Sequence, residues 1–362
     1  MAESHLSNNS SAPEPVFPRF KPLTLADREI IRTILWDFQP ETSELTFTNL
    51  FIWQSYYGYQ WSRDRDRLVV VGAVPGGEAW ALPPVGPGSR VDLCRQVLGW
   101  LREACGAANP AIERADARLA AELAGHPGFV VEPLRDHFDY VYRTGDLINL
   151  AGGNYQAQRN HINSLTRCHR FRYEPLGEEH LSACLYLCAR WCQVKRCECD
   201  LSLLGEWEAI TAALANFQAL QLKGGVILIN DRVGAFSCGE LLNETTAVIH
   251  LEKADPELRG LYAVINVPFG EWEKIPRLQA KTLVGLRYRE KLPQDFAFRL
   301  RSEISLGLDH QVPQAGFLWR RRSPVTRPHS GNMQVHGYRN YHRPRLQRSC
   351  PPVRFGSSAV VH

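Results

Sequence analysis

Gly224-Gly-Val-Ile-Leu-Ile-Asn-Asp-Arg-Val-Gly-Ala-Phe-Ser-Cys-Gly-Glu240, followed after four residues by Thr245-Thr-Ala-Val-Ile-His-Leu-Glu252, is the stretch from which the fold class can be read. Two apolar runs meet at Asn230-Asp231, residues that tolerate the left-handed conformation a two-residue hairpin requires. A third run follows after a short polar break. The pattern predicts neighbouring strands of a buried sheet, and Asp255-Pro-Glu-Leu-Arg-Gly260 then leads into a helix from about Leu261.

Outward from this meander the signals alternate between helix and strand. Upstream, residues 155–167 read as a polar, basic helix, residues 171–175 as a strand, and residues 178–194 and 204–220 as helices. Trp207, Ile210, Leu214, Phe217 and Leu220 share one face of the last of these. Gly152-Gly153 separates this cycle from an earlier one of the same kind. That cycle begins at Thr24-Leu-Ala-Asp27, a capping pattern ahead of Ile30, Ile31, Ile34 and Leu35. It continues with strands at residues 68–71 and 78–82 around Pro75-Gly-Gly77, helices at residues 91–105 and 115–124, and a strand-rich stretch from 129 to 150. The aromatic run at residues 46–59 fits helix or strand by periodicity alone. Two successive cycles predict an α/β chain of two tandem units, residues 19–150 and 151–300. A Ser-, Asn- and Pro-bearing lead-in over 1–18 and an Arg-rich tail over 301–362 are expected to be disordered.

Composition narrows the class. Of 362 residues, 44% are hydrophobic and 22% charged, enough apolar material for two cores and too much for a disordered chain. The net charge of +4 averages two unlike parts: no Asp or Glu follows Asp309, whereas nine Arg do. A mildly acidic body with a basic tail is implied, not a globally basic nucleic-acid binder. No run reaches the roughly 20 apolar residues of a membrane span, and no signal-peptide pattern is visible. Ten irregularly spaced Cys are too dilute for a disulfide scaffold, so the expected setting is reduced and cytoplasmic. Cys184, Cys188 and Cys192 recur at helical spacing with Leu181, Leu185 and Trp191, as a core stripe does. With Cys197-x-Cys199 in place of Cys-x-x-Cys, no metal site is expected.

The densest polar cluster lies between Gly239 and Asp255. Counting by twos along the strand puts His250, Glu252 and Ala254 on one face and Ile249, Leu251 and Lys253 on the other. A carboxylate beside an imidazole can serve as general base toward an attacking amine or hydroxyl; the alternative is a polar, solvated sheet face. Glu240, at the end of the preceding strand, completes the candidate catalytic set. Arg259-Gly260, directly after that strand, offers a charged group and a close backbone approach to a phosphate at a helix start. Arg159 and Asn163 share a helix face in Gln158-Arg-Asn-His-Ile-Asn163, where a solvated face is the alternative. Gly-x-x-x-x-Gly-Lys-Ser/Thr, Gly-x-Ser-x-Gly and Gly-x-Gly-x-x-Gly are absent from the sequence, which argues against P-loop, nucleophile-elbow and dinucleotide-binding chemistry.

Four stretches together resemble a known family: Phe20-Lys-Pro-Leu23 with Phe47-Thr-Asn-Leu-Phe-Ile-Trp53; Arg159-Asn-His-Ile-Asn163; Ala235-Phe-Ser-Cys-Gly-Glu240; and His250-Leu-Glu-Lys-Ala-Asp255 with Gly260-Leu-Tyr262 and Ile265-Asn266. The chain resembles, over about residues 20–270, bacterial proteins grouped with the C-terminal, aminoacyl-transferring domain of phosphatidylglycerol lysyltransferases. The resemblance implies two tandem acetyltransferase-like (GNAT) folds with central mixed sheets, similar to Fem peptidyltransferases. It also implies transfer of an acyl or aminoacyl group from coenzyme A or charged tRNA, with no tightly bound cofactor. Tyr262 and Asn266 join Arg259, Gly260, Arg159 and Asn163 as candidate donor-binding residues on the same ground. Glu271-Trp-Glu-Lys-Ile-Pro276 and Gly285-Leu-Arg287 depart from the family pattern, as a shifted reading frame near residues 270–285 would make them. On that reading the last strands of the second fold are missing. Two other readings stay open: a non-catalytic module binding a nucleotide or tRNA end, and an RNA-binding role for the Arg tail.

Overall fold

Thr24 starts the first helical segment with a reciprocal cap. Its backbone N–H and its hydroxyl both donate to the Asp27 carboxylate at 2.9 Å, satisfying donors that a helix start leaves free. In the computed structural model this follows β1 (Lys21–Pro22) and leads into α1 (Arg28–Phe38), which buries Ile31 and Leu35. Residues 14–74, 76–195, 201–266, 280–283 and 298–302 are described, all within the first of two units of the chain, Met1–Leu306. The remainder of the expected Arg-rich tail lies outside the described residues.

The ambiguous aromatic run forms two short helices, α2 (Phe47–Ile52) and α3 (Gln54–Tyr57). Thr46 supplies the start signal, its hydroxyl accepting from the Asn49 N–H at 3.1 Å. Then come β2 (Gln60–Asp64), β3 (Arg67–Ala73), β4 (Ala79–Ala81), α4 (Val91–Glu103), β5 (Ala111–Ala115), α5 (Ala117–Leu123), β6 (Phe129–Pro133), β7 (Tyr140–Arg143) and α6 (Thr144–Asn149). The second cycle runs α7 (Gln156–Cys168), β8 (Phe171–Pro175), α8 (Glu178–Lys195), α9 (Leu201–Ala215), β9 (Lys223–Ile229), β10 (Arg232–Leu241), β11 (Thr246–Ala254) and α10 (Leu261–Ile265). Two further strands are β12 (Ala280–Leu283) and β13 (Phe298–Ser302). Asn230 and Asp231 have φ of 49° and 60°, the left-handed pair their hairpin requires.

Two mixed sheets result, as the α/β expectation requires. One has the order β1-β2-β3-β4-β5-β13-β6, the other β7-β12-β11-β10-β9-β8. The β4–β5 and β11–β12 pairs are parallel and the rest antiparallel. Strand membership crosses between the two cycles. β7, from the first, closes the second sheet by pairing with β12, while β13 inserts between β5 and β6 of the first.

Two expectations are corrected here. The second sheet does receive a strand from beyond residue 270, since β12 pairs in parallel with β11 from Thr246↔Ala280 to Ile249↔Leu283. The folded body also begins before residue 19. The Phe17 N–H donates to the Arg63 carbonyl and the Arg63 N–H to the Pro15 carbonyl, each at 2.8 Å. Phe20 meets Phe17 edge-on at 5.9 Å and packs 4.5 Å from the Trp100 ring. A Pro-rich segment has no periodicity to announce this; the open edge of β2 recruits it.

The largest core joins both sheets. Tyr59, just before β2, and Trp61, Leu68 and Val70 of the first meet Val226, Leu228, Phe236, Cys238 and Leu251 of the second through α1, α2, α8 and α9. The far face of the first sheet packs on α4 and α5, burying Ile112 and Leu300. The far face of the second packs on α7 and α10, burying Ile227, Ala235, Ala254 and Leu261.

Candidate functional site

β10 and β11 pair in regular register from Ala235↔Ala254 to Cys238↔Leu251, then shift so that Gly239 faces Ile249. His250 is the extra residue of this β-bulge. A β-carbon on Gly239 would stand 1.9 Å from the Val248 carbonyl oxygen, so glycine is what lets the strands approach at the shift.

The bulge decides which side chains meet. Glu240 shares the inter-sheet face with Phe236 and Cys238, and its Oε1 lies 3.0 Å from His250 Nε2. His250 therefore points to that face, its side chain fully buried. Glu252 pairs with Ser237 on the opposite face, the side of Ala235 and Ala254, toward α7 and α10. The expectation that His250 and Glu252 project together is overturned, because counting by twos assumes an unbroken ladder and a bulge consumes one residue. Lys253 remains on the side of Leu251, where its Nζ is 2.6 Å from Glu206 Oε1 and 3.8 Å from the centre of the Trp191 ring.

Burial would raise the Glu240 pKa, but the His250 imidazole and the hydroxyls of Thr48 and Thr46 outweigh it and hold the carboxyl below the usual glutamate value. Both threonines lie at the start of α2, so the first cycle supplies part of this polar cluster. On the other face, the Tyr173 ring covers Gly225, where a β-carbon would stand 2.3 Å from the Tyr173 hydroxyl oxygen. Gly225 pairs with Ser237 and Ser237 with Glu252, so Tyr173, Ser237 and Glu252 form a polar row across neighbouring strands. Among the described residues, β12 accompanies β11 only as far as Ile249. Residues 251–254 beyond the bulge have no β12 partner there.

The candidate donor-binding residues gather around α7 and α10. Gly260 caps α10 with φ of 102°, and a β-carbon on it would stand 2.6 Å from the His161 carbonyl oxygen. The close approach this glycine permits is thus to the backbone of α7, not to a ligand. Arg259 is exposed next to His161, whose pKa is lowered first by burial and then by the Arg259 charge. Arg159 Nη1 donates to the carbonyls of Leu150 and Gly152, which ties α7 to the end of α6. Asn163 is exposed on α7, Tyr262 packs against the α7/α10 core, and Asn266 follows the last turn of α10.

Cys184 and Cys188 are buried on α8 and Cys192 is half-buried. Desolvation pushes the thiols of Cys184, Cys188 and Cys238 well above the ordinary value. Among the described residues no group of His, Cys, Asp and Glu is arranged to hold a metal ion. No helix among them is long and apolar enough to cross a membrane. Thr46, Thr48, Tyr173 and Ser237 were not legible as site residues. Thr46 carries a helix-capping signal, but nothing local links any of them to Glu240 or Glu252.

The family model for "Phosphatidylglycerol lysyltransferase, C-terminal" matches residues 37–284. No curated protein matches the chain. Among solved structures, a conserved Bacteroides thetaiotaomicron protein of unknown function is 28% identical, with a TM-score of 0.70 over 78% of this chain and 99% of its own. The C-terminal domain of an Agrobacterium fabrum protein described as a lysylphosphatidylglycerol synthetase is 12% identical, with a TM-score of 0.50 over 77% of this chain and 92% of its own. The L-PGS of Bacillus licheniformis is 13% identical, with a TM-score of 0.51 over 77% of this chain and 93% of that one. The last two likenesses concern the fold.

Proposed function

The chain belongs to the family of the phosphatidylglycerol lysyltransferase C-terminal domain, and on that premise we propose that it moves an acyl or aminoacyl group from a tRNA ester or a coenzyme A thioester to an amine or hydroxyl. The observation that carries the proposal is the β-bulge at His250, after which residues 251–254 of β11 have no β12 partner among the described residues and Glu252 projects from that stretch. An acyl carbonyl laid against this edge would meet backbone N–H groups able to stabilise an oxyanion.

In this reading Glu252 is the general base. The acceptor nitrogen or oxygen attacks the carbonyl carbon while its proton passes to the Glu252 carboxylate. The tetrahedral intermediate then collapses, expelling the ribose oxygen or the thiolate, which takes up the proton. His250 and Glu240, buried together on the opposite face, are positioning residues that hold the bulge in shape. Arg259, exposed at the start of α10, is the charged group available to the donor's phosphates, with Tyr262 and Asn266 on the same helix segment.

The test measures binding and turnover separately, with aminoacyl-tRNA and acyl-coenzyme A as donors and release of the labelled acyl group as readout. Arg259→Ala should weaken donor binding by about 1.5–3 kcal/mol, the range for a hydrogen bond to a charged group. Glu252→Gln should leave binding intact and slow release by about 10²- to 10⁴-fold. A chain that binds donor and is indifferent to Glu252→Gln is a binding module without turnover.

A further inference from the structure

The first sheet presents a second built surface, independent of β11. Along β4, β5 and β13, Ile112 and Leu300 point into the α4/α5 core, whereas Trp80, Glu113, Arg299 and Arg301 line the opposite face. A cavity of about 200 Å³ opens there, also lined by Glu78 and Asn109.

The wall is held from behind. The Trp80 ring meets Tyr57 and Tyr59 edge-on at 5.6 and 6.0 Å, and the Arg114 guanidinium lies 5.2 Å from its centre. Arg114 in turn donates to the Tyr57 hydroxyl at 2.9 Å and faces Glu44 at 3.6 Å. Its φ of 61° is left-handed, within a strand and at the bulge where Glu113 and Arg114 together oppose Arg299. A non-glycine residue in that conformation costs stability that its surroundings must supply, and such strain gathers at ligand sites. The Glu78 carboxylate accepts from the N–H groups of Ala108 and Asn109 at 3.2 and 3.1 Å, which pins the Asn109 loop at the rim.

Charge then selects the ligand. Glu113 Oε1 accepts from Arg299 Nε at 2.6 Å and Arg301 Nη1 lies 3.9 Å from Glu132 Oε2, whereas the Glu113 Oε2 and Arg301 Nε atoms are buried with no hydrogen-bond partner among the described residues. Two carboxylates, Glu78 and Glu113, and two guanidiniums, Arg299 and Arg301, line one cavity, so an ion of a single sign meets a like charge there. A molecule bearing both charges can offer each of these groups an opposite charge, and the aromatic face of Trp80 adds attraction for an ammonium group. The volume is below the about 300–1,000 Å³ of drug-sized sites.

We propose that this cavity binds a small zwitterion of the free α-amino acid class, its carboxylate toward Arg299 and Arg301 and its ammonium between Glu113 and Trp80. This does not rest on the transferase reading.

Calorimetric titration of the full chain with free L-amino acids tests it, without any transfer assay. At least one amino acid should bind. Its decarboxylated amine and its N-acetyl derivative, each keeping one charge, should both bind at least about tenfold more weakly. Glu113→Gln and Trp80→Phe should each weaken the parent amino acid in the same sense, while the ligand series reads out on unaltered protein. Absence of binding by every free amino acid would make these groups ion pairs of a solvated sheet face and overturn the proposal. Binding of either single-charge derivative as tight as the parent's would overturn it equally.

Discussion

Glu240 is a carboxylate kept ionised inside the protein by an imidazole and two hydroxyls. Its folded pKa lies below the ordinary glutamate value of 4.5, so the stability it contributes is fully present above that pH. The contribution is lost as the pH falls from there through the folded value. The melting temperature of the wild type should therefore exceed that of Glu240→Gln at neutral pH, and the gap should close in acid. A gap that stays constant down to the acid transition would mean that ionisation is not what the pocket stabilises. Glu240, His250 and Glu252 were all legible as polar residues in an apolar stretch. Their partnership was not, since a single inserted backbone residue turns His250 toward Glu240 and away from Glu252.

At the scale of elements, two glycines set how closely backbones approach. Gly260 brings α10 against α7, and an added methyl would meet the His161 carbonyl at 2.6 Å in a left-handed conformation. Gly58, after α3, has φ of 58° and open space around its missing β-carbon. Gly58→Ala should cost about 1–2 kcal/mol from backbone conformation alone. Gly260→Ala should cost about 1–3 kcal/mol more, because α7 and α10 must also move apart. Urea unfolding of the two variants measures the difference, and equal losses would remove the packing role assigned to Gly260. A Gly after Arg at a helix start reads as a phosphate signal in sequence. The same residue serves helix packing in the fold, and the sequence pattern is identical for both uses.

For the whole molecule, the exchange of strands makes the two cycles interdependent. Leu300 is fully buried against α4 and α5 although it lies far downstream of both. Leu300→Ala should cost about 2–5 kcal/mol, as for other buried leucines. A loss below about 1 kcal/mol on denaturant unfolding would mean that β13 does not complete the first sheet. The shared core argues the same way, since faces of both sheets are covered by α1, α2, α8 and α9 together.

The sequence by itself determined the local elements: the capped first helix, the Asn230-Asp231 hairpin, the helical cysteine stripe and the apolar strands of the second sheet. Each depends on residues within a turn or two of one another, so periodicity and turn chemistry suffice to read it. The sequence also held the family likeness, because that rests on short runs of adjacent residues. Only the tertiary structure decided the bulge at His250, the insertion of β13 between β5 and β6, the loan of β7 to the second sheet, and the cavity beside Trp80. Glu113 and Arg299 are 186 residues apart, and the bond between them has no local signature. Strand partners are chosen by the sheet edges that remain open and by the cores that remain to be covered, which exist only once the rest of the chain has folded.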